Sequence, residues 1–270
     1  MSTTTDLKFQ VKSSGQYLNI IYGGNANGTS ACQGNTPTTD NFIWQILDAP
    51  NNPGWHLIQV NSSGQYLNIF NGGNANGTRA CQGNTPTTDN FLWKFINAPN
   101  NPGWCLLQVK SSGQYLNILN GGSVNGTLAC QGNTPTTDNF LWKLDFIGAS
   151  PNIHTVTVSA TIANPIPPSL SDDEGHQANT GPGDAAMTTE VGAGDTVKWV
   201  KGGNISSLDN VFETAGTDLF IVDPSQENNG AWVGIVGTMP PGSEEEYNIT
   251  YKVGGKTYTQ DPRIRVKPQA

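Results

Sequence analysis

The chain has 270 residues, only 13% of them charged, with 32 glycines, 17 prolines and a formal net charge of −8. This composition suits short strands joined by tight turns, and the length suits two domains that each bury a core. No cluster of Lys and Arg is present to displace counterions from a phosphate backbone, and no apolar run approaches a membrane span, so a nucleic-acid partner and membrane insertion are not expected.

The first residues, Met1 to Lys8, are polar and carry neither a basic n-region nor an apolar h-region. The expectation is a soluble chain, cytoplasmic as synthesised, with no signal peptide. From there a repeat dominates the sequence. Val11, Val60 and Val109 open near-identical blocks 49 residues apart, and the same offset relates Trp44, Trp93 and Trp142. The repeats run over about residues 7–55, 56–104 and 105–148.

Within a block, SSGQ marks a turn, YLNI alternates, GGNANGT marks a second turn, and Phe42-Ile43-Trp44 lies in a further alternating run. Each block therefore reads as several short strands. Leu18 and Ile20 share a face and Asn19 points the other way, while Phe42, Trp44 and their copies are expected in the core. The pairs Gly23-Gly24, Gly72-Gly73 and Gly121-Gly122 fit turns that need positive φ. Cys32, Cys81 and Cys130 recur and Cys105 has no counterpart, which points to free, buried thiols and not to a disulfide framework.

No block of this size buries its own apolar face, and three copies closed around an axis supply one another's partners. A solenoid would want differing end repeats, and three blades are too few for a propeller. A β-trefoil remains. The run SGQYLNI, then NGT, then Asn-Phe-x-Trp resembles the SGxxLD, NGT and QxW pattern of ricin B-type β-trefoil lectins over about residues 7–147.

That resemblance implies glycan partners, with galactose or N-acetylgalactosamine as the family's usual ligands, and one shallow sugar pocket per repeat. Carried over, the polar residue after the second-strand Leu becomes Asn19, Asn68 and Asn117, and the Asn before the closing Trp motif becomes Asn41, Asn90 and Asn139. An amide both donates and accepts in one plane, as a fan of sugar hydroxyls requires. Where the family places a Trp platform, this chain has Gln33-Gly34-Asn35 and its copies. Stacking then falls to Tyr17, Tyr66 and Tyr115, or recognition falls to Gln33, Gln82 and Gln131 with Asn35, Asn84 and Asn133 through hydrogen bonds alone. Asp40, Asp89 and Asp138 are the acids common to all three blocks; each is either the carboxylate that the Asn19 position lacks or a turn cap.

Up to three matching sites on one rigid body would give multivalent recognition. No cofactor or metal is called for.

After Ala149-Ser150-Pro151 the composition turns acidic and Val/Thr-rich: residues 151–270 hold fifteen acids against seven bases, whereas residues 1–150 hold six of each. A second domain, 150–270, is therefore expected after a trefoil over 1–149. Alternating runs at His154–Ile162, Thr188–Val191, Thr196–Val200, Leu219–Val222, Ala231–Val236, Glu246–Val253 and Arg263–Val266 predict a β-sandwich, making the whole chain all-β. GDTVKWV and EEYNITYKV are similar to cupredoxin or immunoglobulin-like strands, but without a Cys in this half a blue-copper site is excluded. Asp172-Asp173-Glu174 reads as a solvated loop. The strand around Trp232-Val233-Gly234-Ile235-Val236 is either core or the surface of a homodimer formed through this domain. About 115 residues of strand and turn leave little room for a deep active site, and no Ser-His-Asp or Cys-His pattern points to an enzyme. Strands this short and interrupted do not suit a barrel-forming toxin, and the alternative to a lectin is a targeting module of a glycan-acting enzyme or of a cell-binding toxin.

Overall fold

The computed structural model describes residues 6–178 and 187–267. Each repeat contributes four strands: β1 (Leu7–Val11), β2 (Tyr17–Ile20), β3 (Ala31–Gly34) and β4 (Trp44–Asp48) in the first; β5 (His56–Val60), β6 (Tyr66–Ile69), β7 (Ala80–Gly83) and β8 (Trp93–Asn97) in the second; β9 (Cys105–Val109), β10 (Tyr115–Ile118), β11 (Ala129–Gly132) and β12 (Trp142–Phe146) in the third. The outer two strands of every repeat build a barrel. β1 pairs with β12 and β4, β5 with β4 and β8, and β9 with β8 and β12, so the ring closes and leaves no free edge. The inner two form hairpins β2–β3, β6–β7 and β10–β11, tied to one another by single bridges Ser30–Cys81, Cys32–Leu128 and Arg79–Cys130. Six barrel strands capped by three hairpins around one axis make a β-trefoil.

The alternation read in the sequence fills this barrel. Leu7, Phe9 and Val11 are fully buried, while Lys8 and Gln10 between them are not. Trp44, Trp93 and Trp142 lie at 0% exposure, and each indole Nε1–H is satisfied by a carbonyl of the second strand, Leu18, Leu67 and Leu116 at 3.1, 2.9 and 3.0 Å. Burying an indole with its N–H paired avoids the cost of an orphaned donor. Phe9 stacks on Phe95, with ring centroids 6.2 Å apart.

The second compact unit comprises, among the described residues, 149–178 and 187–267 together with Pro99–Gly103. β13 (Ile153–Ala160), β14 (Ser169–Ser171), β15 (Gln177–Ala178), β17 (Thr196–Gly203), β19 (Phe220–Gln226) and β20 (Trp232–Val236) form one sheet; β16 (Thr188–Val191), β18 (Ile205–Gly216), β21 (Glu244–Val253), β22 (Lys256–Gln260) and β23 (Arg263–Val266) form the other. Val156, Val158 and Trp199 from the first share one core with Val211, Tyr247 and Ile249 from the second. Trp199 meets Tyr247 edge-on at 5.5 Å. This is a β-sandwich, with parallel pairs β13–β17 and β16–β23 among antiparallel ones.

Of the two readings of the strand around Trp232, core or dimer surface, the burial favours core. β20, considered as a dimer surface, is an interior strand between β17 and β19, and Val233, Ile235 and Val236 are at most 2% exposed. It is core. The strands β14, β15, β18 and β22 were not among the expected runs.

Candidate functional site

Each repeat folds its hairpin against a short 3-10 turn, Asp40–Phe42, Asp89–Phe91 or Asp138–Phe140. The residues nominated from sequence gather at this junction, but most of them face inward. Asn19 lies opposite Leu18 and Ile20, as the strand parity requires, yet that side is covered. Its exposure is 5%, and those of Asn68 and Asn117 are 4% and 5%.

The cover is aromatic. A Cβ placed on Gly34 would sit 2.7 Å from both the Asn19 amide nitrogen and the Phe42 ring, and Gly83 and Gly132 repeat the arrangement. Glycine is needed so that Phe42 can close over Asn19. Beneath the ring, Asn19 Nδ2 donates to the Cys32 carbonyl at 3.2 Å and the Tyr17 carbonyl at 3.4 Å. Its Oδ1 accepts from the Cys32 thiol at 3.4 Å and from Asn41 Nδ2 at 3.5 Å. Both amide protons and the oxygen are thus occupied.

Asn41 is held likewise: Nδ2 donates to the Ile20 carbonyl at 3.0 Å, and Oδ1 accepts from the Thr39 hydroxyl at 2.6 Å. Asn90 and Asn139 make the same bonds and are 8% exposed. The expected pair of outward amides is corrected to an internal network linking hairpin and turn.

Gln33, Gln82 and Gln131 are corrected in the same sense. All three have 0% exposure and bind the repeats together. Gln33 Nε2 donates to the Gly122 and Val124 carbonyls of the third repeat at 2.8 and 3.0 Å, while its Oε1 accepts from Ser14 at 2.7 Å. Gln82 reaches Gly24 and Ala26, and Gln131 reaches Gly73 and Ala75, in the same manner. The NGT asparagines serve the same interface: Asn125 Oδ1 accepts from the Asn35 backbone N–H at 3.3 Å, and Asn27 and Asn76 do so for Asn84 and Asn133. Sequence gave no sign of this, because a contact between repeats and a contact to a ligand both appear as a polar residue recurring in a loop.

Tyr17, Tyr66 and Tyr115 are half-buried. Tyr66 packs with Phe91, Leu92 and Leu57, and Tyr115 with Phe140, Leu141 and Leu106. Burial moves the Tyr17 hydroxyl pKa upward. The Tyr66 and Tyr115 rings thus complete small satellite clusters of the core.

What faces solvent is a smaller set. Asn35, Asn84 and Asn133 are exposed, each side-chain oxygen accepting from the next threonine at 3.0–3.1 Å. Asp40, Asp89 and Asp138 are exposed too. Asp89 pairs with Lys110 and Asp138 with Lys12, both at 3.2 Å. The turns carrying these acids pack against the 3-10 turns Ile21–Gly23, Phe70–Gly72 and Leu119–Gly121, where only the first glycine of each GG pair has the expected positive φ (62°, 61° and 63°). Every repeat therefore presents a polar rim of one carboxylate, one amide and two adjoining turns above a closed interior.

The cysteines are free and at most 3% exposed. Burial pushes the thiols of Cys32, Cys81 and Cys130 up to about 11, against a smaller opposing effect of the Asn hydrogen bond. They are not nucleophiles near neutral pH. In the second unit Asp172 Oδ1 accepts from the backbone of Glu174 and His176, Asp172 Oδ2 meets His176 Nδ1 at 2.8 Å, and Glu174 meets Lys267 at 2.7 Å. That acidic loop is self-partnered. No helix of the described residues is long and apolar enough to cross a membrane.

Among solved structures, the chain is similar to an exo-β-1,3-galactanase from Clostridium thermocellum, 1,3Gal43A, with TM-score 0.50 and 21% identity over 53% of this chain and 30% of that one. It is also similar to a designed threefold-symmetric protein, ThreeFoil (TM-score 0.49, 23% identity, 52% of this chain and 97% of that one), and to the Rhizoctonia solani agglutinin (0.47, 18%, 53% and 95%). No relative matches among curated proteins. Residues 2–83 match the family model described as a ricin-type beta-trefoil lectin domain-like unit, and the described residues among them, 6–83, lie in the β-trefoil.

Proposed function

We propose that the N-terminal unit binds glycans at the three polar rims, using the exposed carboxylates Asp40, Asp89 and Asp138 as acceptors for sugar hydroxyls. The observation that carries this reading is the recurrence of an exposed acid on each 3-10 turn of a chain whose residues 2–83 match a lectin-like family. A carboxylate accepts two hydroxyls with charge-assisted bonds, and the network of Asn19, Asn41 and Cys32 behind it holds the turn rigid. Rigid presentation limits the ordering cost of binding.

The rims are shallow, so affinity per rim is low and useful strength comes from several rims engaging one glycan-bearing surface. Galactose and N-acetylgalactosamine are the first ligands to test, since the resemblance in the SGxxLN and NGT motifs implies them. The reading is one of binding without turnover. A glycan array probed with the labelled protein is expected to show retention on neutral glycans, lost when the immobilised density is lowered; an array without retention at any density would overturn it.

A further inference from the structure

The three rims are not alike. At the left-handed position of the first turn of each rim the second and third repeats carry Asn71 and Asn120, with φ of 52° and 53°. Asparagine tolerates this conformation well. The first repeat holds the same backbone, φ 53° and ψ 18°, with a tyrosine, Tyr22. A bulky aromatic in this region is strained, and strain of this kind persists where something else over-determines it. Packing does not: Tyr22 is 99% exposed, the largest exposure among the large apolar side chains.

The second difference lies next to it. Gly23, adjoining Tyr22, lies against Asn41, where an added Cβ would be 3.8 Å from the Asn41 side chain, and Asn41 is the neighbour of Asp40. The lysine that neutralises Asp138 is Lys12 and the one that neutralises Asp89 is Lys110; the corresponding residue for Asp40 is Asn61. Asp40 forms no ion pair among the described residues. The first repeat alone thus combines a solvent-facing ring with an unneutralised carboxylate on two turns that pack together.

We infer that the first repeat is the principal glycan site, with the Tyr22 ring stacking on the apolar C–H face of a pyranose and Asp40 accepting from its hydroxyls. The ligand class is a neutral hexopyranose; a sialylated or sulfated sugar is repelled by Asp40. An exposed aromatic ring contributes its apolar area and quadrupole only once a ligand covers it, which explains why it is kept in a conformation that the other repeats fill with Asn.

The inference rests on the glycan-binding reading, and the test separates the two. Tyr22→Asn installs the residue that the other repeats hold on this same backbone, so it preserves the fold and raises the melting temperature. Calorimetric titration with the best glycan from the array is expected to show about tenfold weaker binding for Tyr22→Asn. Asp40→Asn weakens binding similarly and narrows the discrimination against sialylated glycans, and Asn71→Tyr adds affinity on surfaces of high glycan density. Unaltered affinity in Tyr22→Asn, or a lowered melting temperature showing that the ring supports the fold, overturns the inference while leaving the lectin reading in place; a wild-type protein that binds no glycan ends both.

Discussion

At the scale of single residues, strand parity states which side of a hairpin a residue faces and is silent on what covers that side. Asn19 illustrates the difference: the alternation in YLNI placed it opposite Leu18 and Ile20 correctly, but the Phe42 ring closes over it, and only the contact at Gly34 reveals why. Two substitutions follow from this. Asn19→Ala strips partners from the Cys32 carbonyl and thiol and from Asn41, so urea denaturation is expected to register a loss of about 1–3 kcal/mol. Gly34→Ala forces a Cβ against Phe42 and is expected to cost about 1–3 kcal/mol through overpacking. An unchanged midpoint for Asn19→Ala would mean that the amide faces solvent after all.

At the scale of elements, a period of two was readable in YLNI and in the run through Trp44 of each repeat and in seven runs of the second unit, whereas β3, β7 and β11, each ACQG and buried throughout, show no alternation. β18 escaped because its apolar residues Ile205, Leu208 and Val211 are three apart. Register shifts against β21 at Ile205/Ser207 and Leu208/Asn210 insert an extra residue each time, and the bulges erase the alternation. β21 carries a further consequence. Glu245 is 1% exposed and its Oε2 accepts from the Leu219 backbone N–H at 2.7 Å. Burial outweighs that bond and pushes its pKa from 4.5 up to about 8. The folded state therefore holds a proton that the unfolded chain has released, so this group's contribution to stability falls as pH rises from 4.5 to about 8. Glu245→Gln keeps an acceptor for Leu219 and is expected to flatten the decline, measured as melting temperature against pH. A decline of the same slope in the variant would place its origin elsewhere.

At the scale of the whole molecule, the 49-residue repeat made the trefoil legible, because three copies that each lack a complete core must close on one another. The site was far less legible. Near-identity of the loops reads as three copies of a binding surface, whereas Gln33, Asn35 and Asn125 are also where one repeat meets the next, and an interface of threefold symmetry constrains its residues as tightly as a ligand does. The thiols follow the same logic of burial: all four cysteines are expected to resist a thiol reagent at neutral pH in the native protein and to react once it is unfolded. In the proposed function, glycan binding depends on the exposed acids. Titration of a multivalent galactoside surface with Asp40→Asn/Asp89→Asn/Asp138→Asn, compared with the parent chain at matched melting temperature, measures that dependence directly. The triple variant is expected to lose retention with the fold intact; full retention would contradict a role for these acids in binding.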